Sequence, residues 1–566
     1  MAYDKFPAVK VKGYEGELAK GWQALEDKVA EAGSLVVMDV YPGADEKALL
    51  EHLAGKFDTV INARDIYKDA DVIETILEHH VTDDRIFGTM FYGVLTDLVD
   101  KDKLAAAKAK AAEAKGRTLV FGPGATLVTT EGKLFYVDMS RWEIQLRYRK
   151  GMPNFFFDNA DEDPLRKIKR GFFIEWRVFD KHKLSVFDRV DEFIDFNNDE
   201  PVTVSGVAVR DGLAQAVKGP FRTVPYFDPG VWGGQWMKDV CGLDKNEKNF
   251  AWSFDGVPEE NAILLDFGNG VFELPAMDLV LTHPVELLGK KVYSRFGAEF
   301  PIRFDFLDTV GGQNLSLQVH PLTEYIHRTF GMAYTQDESY YILDAKEGAH
   351  VYLGLKEGVD KDEMMAALRE ANAGGKPFDA EKYVNKFPAR KHDHFLIPAG
   401  TVHCSGEDAM VLEVSATPYC FTFKLWDWGR LGLDGLPRPV HLDHGEKNIQ
   451  WDRQTPWVRE NLVNAIELIS DKDGVREEHT GLHELEFIET RRYWADEKIE
   501  LDTDHNVNML NFIEGDTAVV VSPENKWEPF EIHYAETFIV PADAGKYVIE
   551  NRSDKPMGIL RAYVRV

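Results

Sequence analysis

The feature that most constrains this chain is a change of texture near residue 200. Before it, strand-like runs alternate with amphipathic helices; after it, short strands separated by Gly, Pro, Asn and Asp turns dominate. Residues 15–32, "EGELAKGWQALEDKVAEA", read as an amphipathic helix. A buried strand, "SLVVMDV", follows, then a glycine turn opening a second helix, "YPGADEKALLEHLAGKF". Further strands at "GRTLVFGPGA" and "KLFYVDMSRWEIQ" continue the alternation, so residues 1–198 are expected to form an α/β layer domain. The later texture suits antiparallel barrels or jelly rolls. It covers residues 199–445, with a helical insertion at 360–375 ("DKDEMMAALREANAGG"), and again 446–566. The segment "RPVHLDHGEKNIQWDRQTPWV" between them reads as a linker. A length of 566 residues is too great for one core, so the expected class is α+β multidomain.

A net charge of −30 argues against a nucleic acid or an anionic membrane as partner, because a phosphate backbone needs a basic face. A small phosphorylated substrate needs only one or two local cations and stays open. The 3 cysteines, Cys241, Cys404 and Cys420, are too few and too scattered for a disulfide framework or a CxxC site, so any metal must be held by His, Glu, Asp or Gln. No apolar run reaches bilayer length and "MAYDKFPAVKVKGYEGE" has no apolar leader core, which predicts a cytoplasmic protein. Oligomeric state is left open.

The first region has a kinase-like layout, with "YPGADEKALL" where a phosphate-cradling loop would lie. A working loop needs closely spaced glycines and a Gly-Lys-Ser/Thr ending. Here Gly43 and Lys47 flank Asp45 and Glu46, which would repel phosphate. A degenerate P-loop-kinase-like domain without nucleotide chemistry, structural or oligomerising, is the expectation.

The chemistry-bearing stretch is "LSLQVHPLTEYIHRTFGMAYTQDESYYIL", residues 315–343. A strand puts residues i and i+2 on one face, so Gln318 and His320 point the same way. Glu338 opens the later apolar run "ESYYILDA", and in "FLIPAGTVHCSG" a tight turn at Pro398 and Gly400 delivers His403 to the next strand. Pro-x-Gly-x-x-His after an apolar strand is the second metal motif of cupin barrels. One amide oxygen, two neutral imidazoles and one carboxylate suit Zn²⁺ first, with Mn²⁺, Fe²⁺ or Co²⁺ as alternatives. Each residue alone has a plainer reading, a hydrogen-bonded core histidine or a strand-end carboxylate; their combination in this order favours a metal. His327, His392 and His394 lack such a turn.

"LSLQVHP", "ESYYILDAKEGAHVYLGL", "FLIPAGTVH" and "FKLWDWGRLGLDGLPRPVHL", in this order, resemble class I mannose-6-phosphate isomerases, as do the upstream "PYFDPGVWGGQWMK" and "FAWSF". The likeness covers roughly residues 220–445. It implies one zinc per chain on Gln318, His320, Glu338 and His403, and interconversion of mannose 6-phosphate and fructose 6-phosphate through a cis-enediol. Where short bacterial members carry an arginine in a "TYRxYDW"-like strand, this chain has "TFKLWDWGR", which makes Lys424 and then Arg430 the catalytic candidates beside Glu338. Members often place a lysine just before the glutamate ligand; here the run is "YTQDESYY", with Gln336 and Asp337. That loss of a cation weakens the case for a phosphate in this corner. Gln336, His327 and Arg328 are the substrate-binding candidates. "FIVPADAGKYVIEN" resembles a cupin turn with its histidine replaced, so the C-terminal barrel is expected to lack metal ligands. Isomerisation of another sugar, an Fe²⁺ oxygenase and a non-catalytic sugar sensor are the competing readings; Gln-x-His in place of His-x-His disfavours the oxygenase.

Overall fold

The computed structural model describes residues 3–418, 420–433, 435, 438–481 and 483–566. Asp434, Leu436 and Pro437, in the last of the motifs above, therefore lie outside the described residues. The chain forms two compact units. One comprises Ala8–Ala216 and Ala262–Thr282; the other holds Met1–Pro7, Val217–Asn261 and His283–Val566.

The α/β unit is built on parallel strands β1 (Leu35–Val40), β2 (Thr59–Asn62), β3 (Thr118–Phe121), β4 (Lys133–Asp138) and β5 (Glu192–Asp195). Their order across the sheet is β2-β3-β1-β4-β5, continued by antiparallel β6 (Val202–Ser205) and a short strand, Ala19–Lys20. The central strands read as apolar runs because both faces are covered: Val36, Val37, Leu119, Val120 and Phe135 are all buried. β6 pairs with β5, so a boundary at 198 would cut one sheet, and the unit runs on to Ala216.

Several strands end in buried aspartates. Asp39 accepts hydrogen bonds from the Gly124 and Thr126 amides at 3.0 Å each. Asp138 meets Lys183, which extends from helix α2 (Trp176–Val186) and also reaches Asp278, at 2.7–3.0 Å. At the glycine turn, helix α1 (Glu46–Leu53) is capped by the Asp45 carboxylate on the Ala48 amide, and Glu46 pairs with Arg64 at 2.6 Å. The protein's own acids thus occupy the end of α1 where an anion would have to bind.

The second unit contains two β blocks. In the first, β7 (Tyr226–Asp228), β8 (Trp252–Gly256), β9 (Ile302–Asp308), β11 (Glu338–Ala345), β14 (His394–Ile397) and β16 (Ala409–Ala416) form a sheet in the order β14-β11-β16-β9-β8-β7. A second sheet has the order β13-β12-β15-β10-β17, from β10 (Leu317–Val319), β12 (His350–Leu355), β13 (Val384–Pro388), β15 (His403–Ser405) and β17 (Phe423–Trp426). Helix α3 (Thr323–Phe330) follows β10, and helix α4 (Lys361–Asn372) lies between β12 and β13. Asp360 caps α4 through the Glu363 amide, and Met364, Met365 and Leu368 are its buried face.

Residues 441–461 do not behave as a linker. They form helices Leu442–Glu446 and Thr455–Asn461 and strap one end of this block. Asn448 Oδ1 accepts from the Leu322 amide, the Gln450 amide donates to the Gly400 carbonyl, and the Leu355 amide to the Arg453 carbonyl, all at 2.9 Å. Their polarity suggested solvent; it is spent on backbone groups instead.

The C-terminal block pairs a sheet of six strands with one of four. Its interior is apolar, filled by Leu510, Phe512, Phe538, Tyr547, Ile549 and Ile559 among others. At its edge Glu489 meets His479 at 2.6 Å and Arg565 at 2.9 Å. Burial pushes this carboxyl up, but His479, Arg491 and Arg565 outweigh it and leave it at about 2, below its ordinary 4.5. A carboxyl lowered on folding stabilises above its unfolded value and loses that contribution as pH falls through the folded one. Between pH 4.5 and 2 the block should therefore lose about 3 kcal/mol of stability from this group. Glu489→Gln should flatten that part of an acid-denaturation curve relative to wild type. Among the described residues, no helix is long and apolar enough to cross a membrane.

Candidate metal centre

The four ligand candidates meet at one end of the first block. Gln318 on β10 is register partner to His403 on β15 and to Lys424 on β17, so the three side chains share one row of the second sheet. His320 lies just beyond β10, and Glu338 is the first residue of β11 on the facing sheet. His320, Glu338 and His403 are buried to within 1% exposure and Gln318 to 8%. Their candidate ligand atoms lie within 4.8 Å of one another for His320, Glu338 and His403, the one such group of three among the described residues.

The turn before β15 is held from several sides. Gly400 has φ +87, and a Cβ there would sit 2.8 Å from the Asn448 carbonyl oxygen, so only glycine fits. The Gly400 amide donates to the His320 carbonyl at 3.0 Å, coupling two ligand segments. Arg453 Nη1 donates to the Pro398 and Ala399 carbonyls at 2.7 Å. Asp337 Oδ1 accepts from the Ala399 amide at 2.7 Å. The carboxylate that distinguishes "TQDE" is thus a brace for the turn. Burial leaves it at about 6 even so, above its ordinary 3.8.

The hydrogen bonds of the imidazoles decide whether a metal fits. His320 Nδ1 lies 3.2 Å from the Phe421 carbonyl oxygen and His403 Nδ1 2.8 Å from that of Thr401. A carbonyl only accepts, so each Nδ1 carries the proton and each neutral Nε2 presents a lone pair. Those lone pairs face Glu338: His320 Nε2 is 3.1 Å from Oε2, and His403 Nε2 2.7 Å from Oε1. Lone pair against carboxylate is repulsive unless a cation is shared or both buried imidazoles are charged, and burying two such charges is costly. The Gln318 amide lies 3.3 Å from His403 Nε2, and a half-turn of the amide offers its oxygen there. An N₂O₂ set of this kind fits a divalent cation, zinc above the harder ions.

The other candidates divide. Gln336 is buried at the site, its Nε2 3.2 Å from Glu338 Oε2 and 3.4 Å from Glu413 Oε1. Lys424, half-buried, flanks Gln318 in register. Arg430 spends its guanidinium on Asp427 and the Asn314 carbonyl and touches none of the ligand candidates. His327 and Arg328 lie on the exposed side of α3; Arg328 pairs with Glu324 at 3.3 Å with its side chain 77% exposed. His394 is a core histidine, hydrogen-bonded to the Ser339 hydroxyl at 2.8 Å and kept neutral by burial.

Sequence reasoning missed Arg303, Asp305, Tyr340 and Glu413. Arg303 Nη2 donates to Asp305 Oδ2 at 2.9 Å and Nη1 to Glu413 Oε1 at 3.1 Å, all buried. The available signal was the rule applied to Gln318 and His320. "IRFDFLD" sets Arg303 and Asp305 two apart in an apolar strand, and "VLEVSA" does the same with Glu413 and Ser415.

A buried imidazole, carboxylate and amide set at one end of two facing antiparallel sheets makes a candidate metal site on a β framework. A curated mannose-6-phosphate isomerase of Streptococcus mutans is 28% identical over 215 residues, 38% of this chain and 62% of the relative. The mannose-6-phosphate isomerase ManA of Bacillus subtilis is 25% identical over 226 residues, 39% of this chain and 65% of the relative. This chain thus spans less than two thirds of either relative's length. The crystal structure of a Bacillus subtilis mannose 6-phosphate isomerase aligns at TM-score 0.49 and 18% identity, over 61% of this chain and all of that one. A family described as "Domain of unknown function (DUF8485)" matches residues 21–218. Over the stretch shared with them, the chain is similar to curated mannose-6-phosphate isomerases.

Proposed function

We propose that this protein is a metal-dependent aldose–ketose isomerase converting mannose 6-phosphate to fructose 6-phosphate through a cis-enediol. The observation that carries the reading is the pair of Nδ1-anchored imidazoles whose Nε2 lone pairs converge on Glu338 beside Gln318. Gln318, His320, Glu338 and His403 would hold one zinc per chain. When bound, it would polarise the sugar's carbonyl and acidify the neighbouring C–H. Glu413, fixed by Arg303 and adjoining Gln336, is the carboxylate we assign to carry the proton between C1 and C2. Gln336 orients Glu413 and Glu338 together. Lys424, beside Gln318 in register, supplies the positive charge that an enediolate or a phosphate needs.

We read the block as a cupin barrel and the C-terminal block as a second one without ligands, supported by its apolar interior. We read the α/β unit as a degenerate nucleotide-kinase relative without nucleotide chemistry, supported by its strand order and by Asp45 and Glu46 at the head of α1. Cys241 and Cys404 are buried free thiols, which agrees with work in the reducing cytoplasm. Metal analysis with a coupled isomerase assay tests the proposal. One zinc per chain, with turnover lost to a chelator and restored by zinc, is expected; undiminished turnover by metal-free protein would overturn it.

A further inference from the structure

Strand register orders the space behind the metal set into layers. Arg303, Ser415 and Glu338 form one row across β9, β16 and β11. The next row inward is Asp305, Glu413 and Tyr340, and the one after it Leu307, Val411 and Ile342. Tyr340 faces the metal set, its ring 5.7 Å from that of His403. The third row is apolar and fully packed, so it closes the polar zone from below.

The polar row is not satisfied from within. Asp305 Oδ1 and Tyr340 Oη in this row are buried without a hydrogen-bond partner, as is Oε1 of Gln336, which lies two residues before Glu338 and reaches the row through Nε2 on Glu413 at 3.4 Å. Each such orphan is costly, and native interiors keep few. A purely structural ion cluster around Arg303 would have no reason to gather three beside a metal set. Two of them are acceptors and the third can donate or accept, a pattern matched by groups that do both, the hydroxyls of a sugar. A phosphate is a poor occupant. Asp305, Glu413 and Glu338 surround the row, and the Arg303 guanidinium is already committed to the first two.

We propose that Asp305 and Tyr340, one layer below the metal set, form with the neighbouring Gln336 a hydroxyl-reading subsite for the sugar. A phosphate on the same sugar then lies outside this layer, toward Lys424. The proposal rests on the isomerase reading for the kind of ligand, and its test does not need turnover.

Titration calorimetry of the zinc-loaded full chain with mannitol 6-phosphate, an open-chain polyol with no carbonyl to isomerise, gives the readout. Tyr340→Phe and Asp305→Asn should each weaken binding about tenfold, the scale of one hydrogen bond, with zinc content unchanged. Tyr340→Phe should also hold or raise the thermal midpoint, because it removes a buried hydroxyl that has no partner. A merely structural hydroxyl would show the reverse, lower stability with intact binding. Wild-type affinity in both zinc-replete variants would overturn the subsite, while mannose 6-phosphate turnover by wild type would still decide the isomerase reading. Absence of any polyol binding by wild type would overturn the subsite and count against that reading together.

Discussion

Replacing His403 with alanine is expected to strip the metal from the protein and to cut isomerase activity by about 10²–10³-fold or more, the scale on which loss of a dominant electrostatic contributor acts. His403 is fully buried, anchored through Nδ1 to Thr401 and facing Glu338 through Nε2 at 2.7 Å. Alanine removes one of two nitrogen donors and leaves the Glu338 carboxylate opposite a cavity. Zinc per chain, read by plasma emission after dialysis, should fall from one toward zero, and His320→Ala should behave alike. The controls lie on α3. His327→Ala and Arg328→Ala change exposed side chains that touch no ligand candidate, so metal content and rate should stay near wild type. Retention of both zinc and activity by His403→Ala would remove the site assignment.

The second large effect is predicted in the α/β unit. Lys183 is 2% exposed and bridges Asp138 and Asp278, with its ammonium 4.6 Å from the Tyr41 ring centre. Burial alone would lower the ammonium; the two carboxylates outweigh that and keep it charged. Lys183→Met leaves both acids in a dry interior without a counter-charge, which should destabilise the unit by about 3–5 kcal/mol. For a unit of this size that shifts its calorimetric transition down by roughly 10 °C. Burial and Asp138 already push the Asp278 carboxyl well up, so mild acid, by letting the pair share a proton, should restore part of the loss. Adding Asp278→Asn to Lys183→Met should recover stability as well, a sign of coupling that independent sites would not give.

Much of the candidate site was legible because strand periodicity and turn chemistry are local. Gln318 and His320 sit two apart, and the turn at Pro398 and Gly400 announces His403. The same periodicity is present at Arg303, Asp305 and Glu413, which the sequence reading passed over, because a charged residue in an apolar strand signals no site until its register partners are known. Register brings Asp305 opposite Glu413 and Glu413 opposite Tyr340, across strands more than 60 residues apart in the chain. His327 and Arg328 were misjudged for want of helix phase. Ile326 and Phe330, four apart, take the inward side of α3 and turn their neighbours out. Asp337 looked like a charge added to the substrate's corner; its role in bracing the turn depends on a backbone amide, Ala399, that no side-chain pattern reveals. The alternation of the first 200 residues pointed to an α/β sheet, whereas the order β2-β3-β1-β4-β5 depends on crossovers that local pattern does not encode.

Incubating the zinc-loaded full chain with mannose 6-phosphate in deuterium oxide, followed by proton NMR, tests the central claim most directly. The account predicts fructose 6-phosphate at a zinc-dependent rate, with solvent deuterium entering C1 or C2 in proportion to how freely the carried proton exchanges. Zinc-replete, folded protein that leaves mannose 6-phosphate unchanged over many hours would contradict it.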